Sequence, residues 1–214
     1  MTDHYFSQTP TSENNPKTIS FTIRGLSQTL KTDAGVFSKS GLDGGTRLLI
    51  EHVELGVSAN AVDLGCGYGA VTSVLGQIYP DSHWFMVDVN PRAVILAQEN
   101  TRHLRERVKA VMADGLSEAL SRSPSDVREH DDAITDVILN PPIRAGKAVV
   151  QRLFREAHRA LSENGSLWIV IQKKHGAPSV RAYLTQLFGV VEVIYKKSGY
   201  FVLRCRKSDQ FEGL

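Results

Sequence analysis

The sequence predicts a doubly wound α/β domain on a mostly parallel sheet of seven strands that ends in an antiparallel hairpin. Three observations carry this. From residue 60 onward, short apolar runs alternate with helical segments, and parallel strands need such crossovers because a tight turn cannot join them. The last two runs are separated only by Lys196-Lys197-Ser198-Gly199, too few residues for a crossover, so they must pair antiparallel. A glycine-rich turn, Asp63-Leu64-Gly65-Cys66-Gly67-Tyr68-Gly69, lies between the first of these strands and the first of these helices. Open α/β sheets bind their ligands at such a place.

The strand-like runs are Ala61–Leu64, Trp84–Val87, Val108–Met112, Ile134–Leu139, Leu167–Gln172, Val190–Tyr195 and Tyr200–Cys205. Helices are expected over 69–79, 91–105, 147–162 and 178–188, giving a parallel sheet covered on both faces. Pro91 suits the first turn of its helix and Asn90 its N-cap. Gly165 closes the helix that precedes Leu167. Upstream, Ile19, Phe21 and Ile23 share one face of a strand, Arg24-Gly25 is a turn, and Thr29 to Thr32 returns, which reads as a hairpin. A loop with four glycines spans 33–45, and Leu48, Leu49 and Val53 set the period of a helix near 45–55. The expected organisation is a lead-in over 1–17, a hairpin, loop and helix over 18–58, and the main domain over 59–208. His4-Tyr5-Phe6 is an aromatic cluster that docks on the domain or stacks on a base.

The chain has 214 residues, 42% hydrophobic and 22% charged, enough to bury a substantial core. Its net charge of +2 excludes a globally basic, histone-like protein. The charge is uneven: residues 141–214 hold 13 basic and 5 acidic side chains, while residues 60–140 hold 7 and 12. A basic final third is either a footprint for a polyanion or a set of solvated faces. Cys66 and Cys205 form no CxxC pair, and the seven histidines show no HxxxH or HExxH spacing, so neither a disulfide framework nor a metal site is expected. No apolar run is long enough to span a bilayer, and the N-terminus lacks the pattern of a signal peptide; a cytoplasmic protein is expected.

The glycine spacing is GxGxG, with Asp63 two residues before the first glycine. The dinucleotide fingerprint is GxGxxG and seats a pyrophosphate. A carboxylate here repels a pyrophosphate but accepts from an ammonium, so the ligand should be cationic or zwitterionic at this end. This disfavours a nicotinamide-dependent oxidoreductase. Asp88 ends the second strand of the run, where a carboxylate can accept both hydrogens of a ribose diol. Asp114-Gly115 follows the third, where an acid can accept from an adenine amine. Asn140-Pro141-Pro142 ends the fourth. A residue before proline is held extended and each proline fixes its own φ, so the Asn140 amide and nearby carbonyls become rigid acceptors for an exocyclic amine.

With these residues in place, DLGCGYG, Asp88, Asp114 and NPPI resemble a class I S-adenosylmethionine-dependent methyltransferase, with its Rossmann-like fold. More narrowly, the chain resembles the short, single-domain form of the RsmC-type 16S ribosomal RNA guanine-N2 methyltransferases. Gly35-Val36-Phe37-Ser38, Leu42-Asp43 and Gly45-Thr46-Arg47-Leu48-Leu49 look like the upstream signature of that group, as do NPPIRAGK (140–147) and IQKKHGAPS (171–179). The resemblance implies that Asp63, Gly65, Cys66 and Gly67 line the methionine end of S-adenosylmethionine. It implies Asp88 on the ribose, Val89 beside the adenine, and Asp114 with Gly115 on the adenine edge. Asn140, with Pro141 and Pro142, would be catalytic and receive the amine next to the cofactor. Phe37, Ile143, Arg144, Lys173 and Lys174 would meet the substrate. Ile143 departs from the aromatic that many amino-methyltransferases have there, so stacking must come from elsewhere.

The implied reaction is methyl transfer to N2 of guanine in 16S ribosomal RNA, with ribosomal RNA or the small subunit as partner and S-adenosylhomocysteine as product. Two rivals stand beside it. One is another amino acceptor, adenine in nucleic acid or a protein glutamine. The other is a non-catalytic RNA-binding or assembly factor with the same fold, against which the intact set of Asp63, Asp88, Asp114 and Asn140 argues.

Overall fold

A computed structural model describes residues 15–33, 35–36, 41–122 and 133–207. Seven strands form one sheet: β3 (Asn60–Leu64), β4 (His83–Asp88), β5 (Val108–Met112), β6 (Ile134–Leu139), β7 (Leu161–Gln172), β8 (Gly189–Lys197) and β9 (Tyr200–Lys207). Their order is β5-β4-β3-β6-β7-β9-β8. Strands β3 to β7 pair parallel, and β9 runs antiparallel to both β7 and β8. The order reverses at β3, which has β4 on one side and β6 on the other. The crevice at the carboxyl ends of β3, β4 and β6 is therefore the switch point at which such sheets take up ligands.

Among the described residues six helices cover the sheet: α1 (Gly44–His52), α2 (Ala70–Ile78), α3 (Pro91–Thr101), α4 (Leu116–Arg122), α5 (Lys147–Ala160) and α6 (Ala177–Phe188). Side chains alternate across a strand, so each strand feeds two cores. Val62, Val137 and Leu167 pack with Leu153 and Phe154 of α5 and Leu184 of α6. Ala61, Ile138 and Trp168 pack on the other face with Leu49 and Ile50 of α1 and Val74 and Leu75 of α2. Among the described residues no helix is long and apolar enough to cross a membrane.

The upstream strands β1 (Lys17–Ile23) and β2 (Leu26–Thr32) form a separate two-stranded sheet. Arg24 and Gly25 at its turn have φ of +48° and +79°, the left-handed pair that suits the twist of a two-residue hairpin. The hairpin docks on α2 and α3. Ile19 and Leu30 pack against Tyr68, Ala70 and Ala93. Buried Asn100 of α3 accepts from the Lys31 amide at 2.8 Å and donates to the carbonyls of Lys31 and Tyr68, both at 2.8 Å. One side chain thus ties the hairpin to the glycine-rich turn.

The expected architecture is present, with three local differences. A short helix, α4, follows Gly115 where none was expected; Leu116 and Ala119 are its only buried residues, too few to set a period. The helix over 147–162 ends at Ala160, because Leu161 is already extended and pairs with Ile134. Gly165 is therefore not a helix cap. It belongs to an irregular start of β7, where an added Cβ would stand 2.9 Å from the Ser162 carbonyl. The helix from Pro91 stops at Thr101 rather than 105, and a 3₁₀ turn follows, with Arg105 at φ +56°.

Replacing Asn100 by Ala removes three hydrogen bonds, two part-buried to the Lys31 backbone and one buried to the Tyr68 carbonyl. It should destabilise the protein by about 2–4 kcal/mol in chemical denaturation. A change below about 0.5 kcal/mol would mean the hairpin is held by its apolar contacts alone.

Candidate active site

A cavity of about 320 Å³ opens at the carboxyl ends of β3, β4 and β6, within the range of small-molecule sites. Asp63, Gly65, Cys66, Gly67, Asp88, Val89, Asp114, Gly115, Asn140, Pro141 and Pro142 all line it. Ile143, Arg144, Lys173 and Lys174 do not. Ile143 packs partly buried against the α5 side of the core, whereas Arg144, Lys173 and Lys174 are exposed. Phe37, like His4, Tyr5 and Phe6, lies outside the described residues.

The glycine turn is built from the strands outward. The amides of Gly65 and Cys66 both donate to the Val87 carbonyl, at 2.7 and 3.1 Å, which pins the turn to the end of β4. Gly65, Gly67 and Gly69 have φ of +72°, +55° and +81°, a conformation that favours glycine. At Gly69 the reason is also spatial, since a Cβ would lie 3.0 Å from the Ala97 Cα of α3. A Cβ on Gly67 would meet nothing within 4 Å, so bare backbone is what the cavity meets there.

Two carboxylates stand on either side of this turn. Asp63 is buried and accepts from the Thr72 hydroxyl at 2.9 Å. Burial outweighs that bond and, with Asp88 nearby, raises its pKa from 3.8 to about 7. Asp88 accepts from the Gly67 amide and the Asn90 amide, each at 2.9 Å. Burial still raises it to about 6, against the lowering effect of those bonds. Among the described residues neither acid has a cationic partner, and each would gain one if a positive ligand entered. Burial likewise pushes the Cys66 thiol up, which removes it as a thiolate nucleophile.

The third acid is already engaged. Arg152 of α5 pairs with the Asp114 carboxylate at 2.6 Å and donates to its backbone carbonyl at 2.7 Å. The same guanidinium bonds Glu156 at 2.8 Å. Glu156 in turn accepts from the first amides of α4, Leu116 at 2.8 Å and Ser117 at 3.3 Å, an arrangement that suits the positive end of a helix. A Cβ on Gly115 would lie 2.3 Å from Glu156, so this bracing requires glycine. The sequence marks Arg152 only as one of the basic residues of the final third that could meet a polyanion, and Glu156 not at all; the signal for their pairing is the i,i+4 spacing.

At the end of β6, the Pro141 and Pro142 carbonyls already accept from the Ile143 and Ala145 amides, at 2.8 and 2.9 Å. Each of these carbonyls keeps a second lone pair, and the Asn140 amide is a further rigid acceptor beside them. Its Nδ2 donates to Asp43 and to Thr46, each at 3.1 Å, so its Oδ1 is left to accept. Thr46 also lines the cavity. The start of α1 therefore lines the cavity; the sequence marks Asp43 and Thr46 as part of the upstream signature but gives them no individual role.

A zwitterionic sulfonium ligand fits this donor set: a buried and a half-buried carboxylate that have no cation beside them among the described residues, a bare glycine turn and apolar walls from Val36, Val71 and Leu153. Comparisons with known proteins point the same way. The family model "Methyltransferase small domain" matches residues 27–204. The chain is 40% identical over 209 residues to the uncharacterized protein YbxB of Bacillus subtilis, covering 97% of this chain and all of that protein. It is 37% identical over 188 residues to the ribosomal RNA large subunit methyltransferase G of Pseudomonas putida, covering 83% of this chain and 46% of that protein. Among solved structures, the T. thermophilus 16S rRNA N2 G1207 methyltransferase (RsmC), in complex with AdoMet and guanosine, superposes with a TM-score of 0.73 at 25% identity. That match covers 93% of this chain and 52% of RsmC. The chain thus spans about half the length of the ribosomal RNA enzymes it resembles. It belongs to the methyltransferase small domain family, whose cofactor is S-adenosylmethionine.

Proposed function

We propose that this protein methylates N2 of a guanine in ribosomal RNA. The observation that carries the reading is the Asn140 amide, locked at the mouth of a cavity whose two unpaired carboxylates suit a cationic cofactor. In this reading Asp63 accepts from the cofactor's ammonium, Asp88 from the ribose diol, and Asp114 and Gly115 bound the adenine, with Gly65, Cys66, Gly67 and Val89 as the remaining wall. Residues 59–208 form the catalytic domain and 18–58 cover it. When bound, S-adenosylmethionine supplies an electrophilic methyl group: the amine lone pair forms the new N–C bond as the C–S bond breaks, S-adenosylhomocysteine leaves, and a proton passes to solvent. Asn140 Oδ1 accepts from the amine and aims its lone pair, an orientation effect that needs no strong base. The small residues Pro141 and Pro142 keep that amide from turning away.

The RNA reading draws on the relatives and on charge. Arg144, Lys147, Lys173, Lys174, His175, Lys196 and Lys197 are all exposed. They follow β6 and β7 or, for Lys196 and Lys197, end β8, and the carboxyl ends of these strands lie at the same end of the sheet as the cavity. The Lys173 amide donates to the Gly199 carbonyl at 2.7 Å, which brings two of these basic turns together. A strand of RNA laid along this rim would meet cations next to the cavity. Both subunits' RNAs enter the test, because the Pseudomonas putida relative is named for the large subunit and the structural neighbour for 16S rRNA.

Three outcomes test the reading. Asn140→Ala should leave S-adenosylhomocysteine affinity within about twofold and lower methyl transfer to unmodified 16S or 23S transcripts roughly a hundredfold or more. Unchanged transfer would remove its role. Cofactor affinity should rise with pH and level off above about 7, because the ionised Asp63 and Asp88 are the accepting forms and titrate near 7 and 6. The ligand-free protein should show the reverse: two acids whose folded pKa is raised from 3.8 lose their stabilising contribution as pH climbs through those values. Calorimetric titration and melting across this window check both signs, and a flat affinity profile would contradict the assignment. Finally, transcript affinity should fall by more than about tenfold between about 50 and 200 mM salt; insensitivity to salt would take the basic rim out of the RNA contact.

A further inference from the structure

The start of α1 holds a network that the reaction chemistry does not by itself require. Asp43 caps the helix: one carboxylate oxygen, Oδ2, accepts from the Thr46 amide at 2.9 Å, from the Thr46 hydroxyl at 3.4 Å and from Asn140 Nδ2 at 3.1 Å. The Thr46 hydroxyl accepts a second contact from Asn140 Nδ2 at 3.1 Å. Both hydrogens of the Asn140 amide are therefore used, one on Asp43 and one on Thr46. Space is matched to this contact, because a Cβ on Gly45 would lie 3.0 Å from Asp43 Oδ2, 3.2 Å from Val170 and 3.4 Å from Asn140 Nδ2.

An asparagine amide has two orientations that differ only by a half-turn, exchanging oxygen and nitrogen. A carboxylate has no hydrogen to give, so Asp43 tolerates only the nitrogen facing it. The half-turn would set the amide oxygen against the Asp43 oxygen and cost the half-buried amide that hydrogen bond, and the Thr46 hydroxyl could meet the turned amide only by taking its own hydrogen away from Asp43. We propose that Asp43 and Thr46 are positioning residues that fix the Asn140 amide with Oδ1 toward the acceptor amine. This rests on the reading of Asn140 given above. It assigns a purpose to the Asp-x-Gly-Thr sequence at 43–46: cap, close approach and hydroxyl, joined on one amide. It also explains how a helix 97 residues away in sequence from Asn140 enters the chemistry.

The test uses Thr46→Val, which keeps shape and loses the hydroxyl, Thr46→Ser as the conservative rescue, and Asp43→Asn. Transfer to unmodified 16S and 23S transcripts should fall roughly tenfold or more in Thr46→Val and Asp43→Asn, in kcat and not in KM. Thr46→Ser should restore most of it, and melting temperature and S-adenosylhomocysteine affinity should stay put. The Thr46→Val/Asn140→Ala double variant should be no slower than Asn140→Ala alone. An independent readout needs no acceptor: the Asn140 side-chain amide in ¹⁵N-labelled protein, assigned by its loss in Asn140→Ala, should exchange with solvent slowly and do so faster in Thr46→Val. Full turnover in Thr46→Val and Asp43→Asn, additive losses in the double variant, or unchanged exchange would overturn the proposal. If Asn140→Ala itself transfers normally, the fault lies in the reading of Asn140; if only the upstream variants are silent, it lies in this inference.

Discussion

The constraint on which the rest depends is the parallel pairing of β3 with β4 and β6. Asp63 sits opposite Met86 and Ile138, one residue before β3 ends, and Leu64 sits opposite Val87 and Leu139. This register delivers the glycine turn, Asp88 and Asn140 to one crevice from three separate stretches of chain. A slip of one residue would turn Asp63 from the α1–α2 face to the α5–α6 face. It would lose Thr72 and bury a carboxylate among Phe154 and its neighbours, at a cost no surface interaction could offset.

The site is then braced from both faces of the sheet. On one face, Arg152 and Glu156 of α5 hold the Asp114-Gly115 turn and the start of α4. On the other, Asn100 of α3 links the hairpin to the glycine turn, and α1 grips Asn140. Packed helices thus set the polar groups, while two carboxylates are left unpaired. Burial raises both Asp63 and Asp88, and in the proposed function a positive ligand would relieve that cost.

Much of this was legible in the sequence because its signals are local. The β/α alternation, the Asn90 cap, Pro91 and the closing hairpin all follow from neighbouring residues, and so does the placement of Asp63, Asp88, Asp114 and Asn140 at strand ends. What escaped depends on contacts between distant segments. Arg152 reaches Asp114 across 38 positions and Asp43 reaches Asn140 across 97. Each alone reads as an ordinary surface ion pair or helix cap. The extent of β7 was missed for a similar reason: Leu161 is extended because Ile134 pairs with it, not because of anything in its own surroundings. Ile143 and Arg144, set beside the substrate by the resemblance, stand outside the cavity wall: the 3₁₀ turn at Ile143–Ala145 leaves Ile143 packed partly buried against the core and Arg144 exposed.

The most direct measurement is a crystal structure with S-adenosylhomocysteine and guanosine bound together. It should show the amino-acid end of the nucleoside at Asp63, its ribose on Asp88, and the guanine N2 within hydrogen-bond reach of Asn140 Oδ1. A ligand seated elsewhere, or an Asn140 amide presenting nitrogen to the base, would contradict the account.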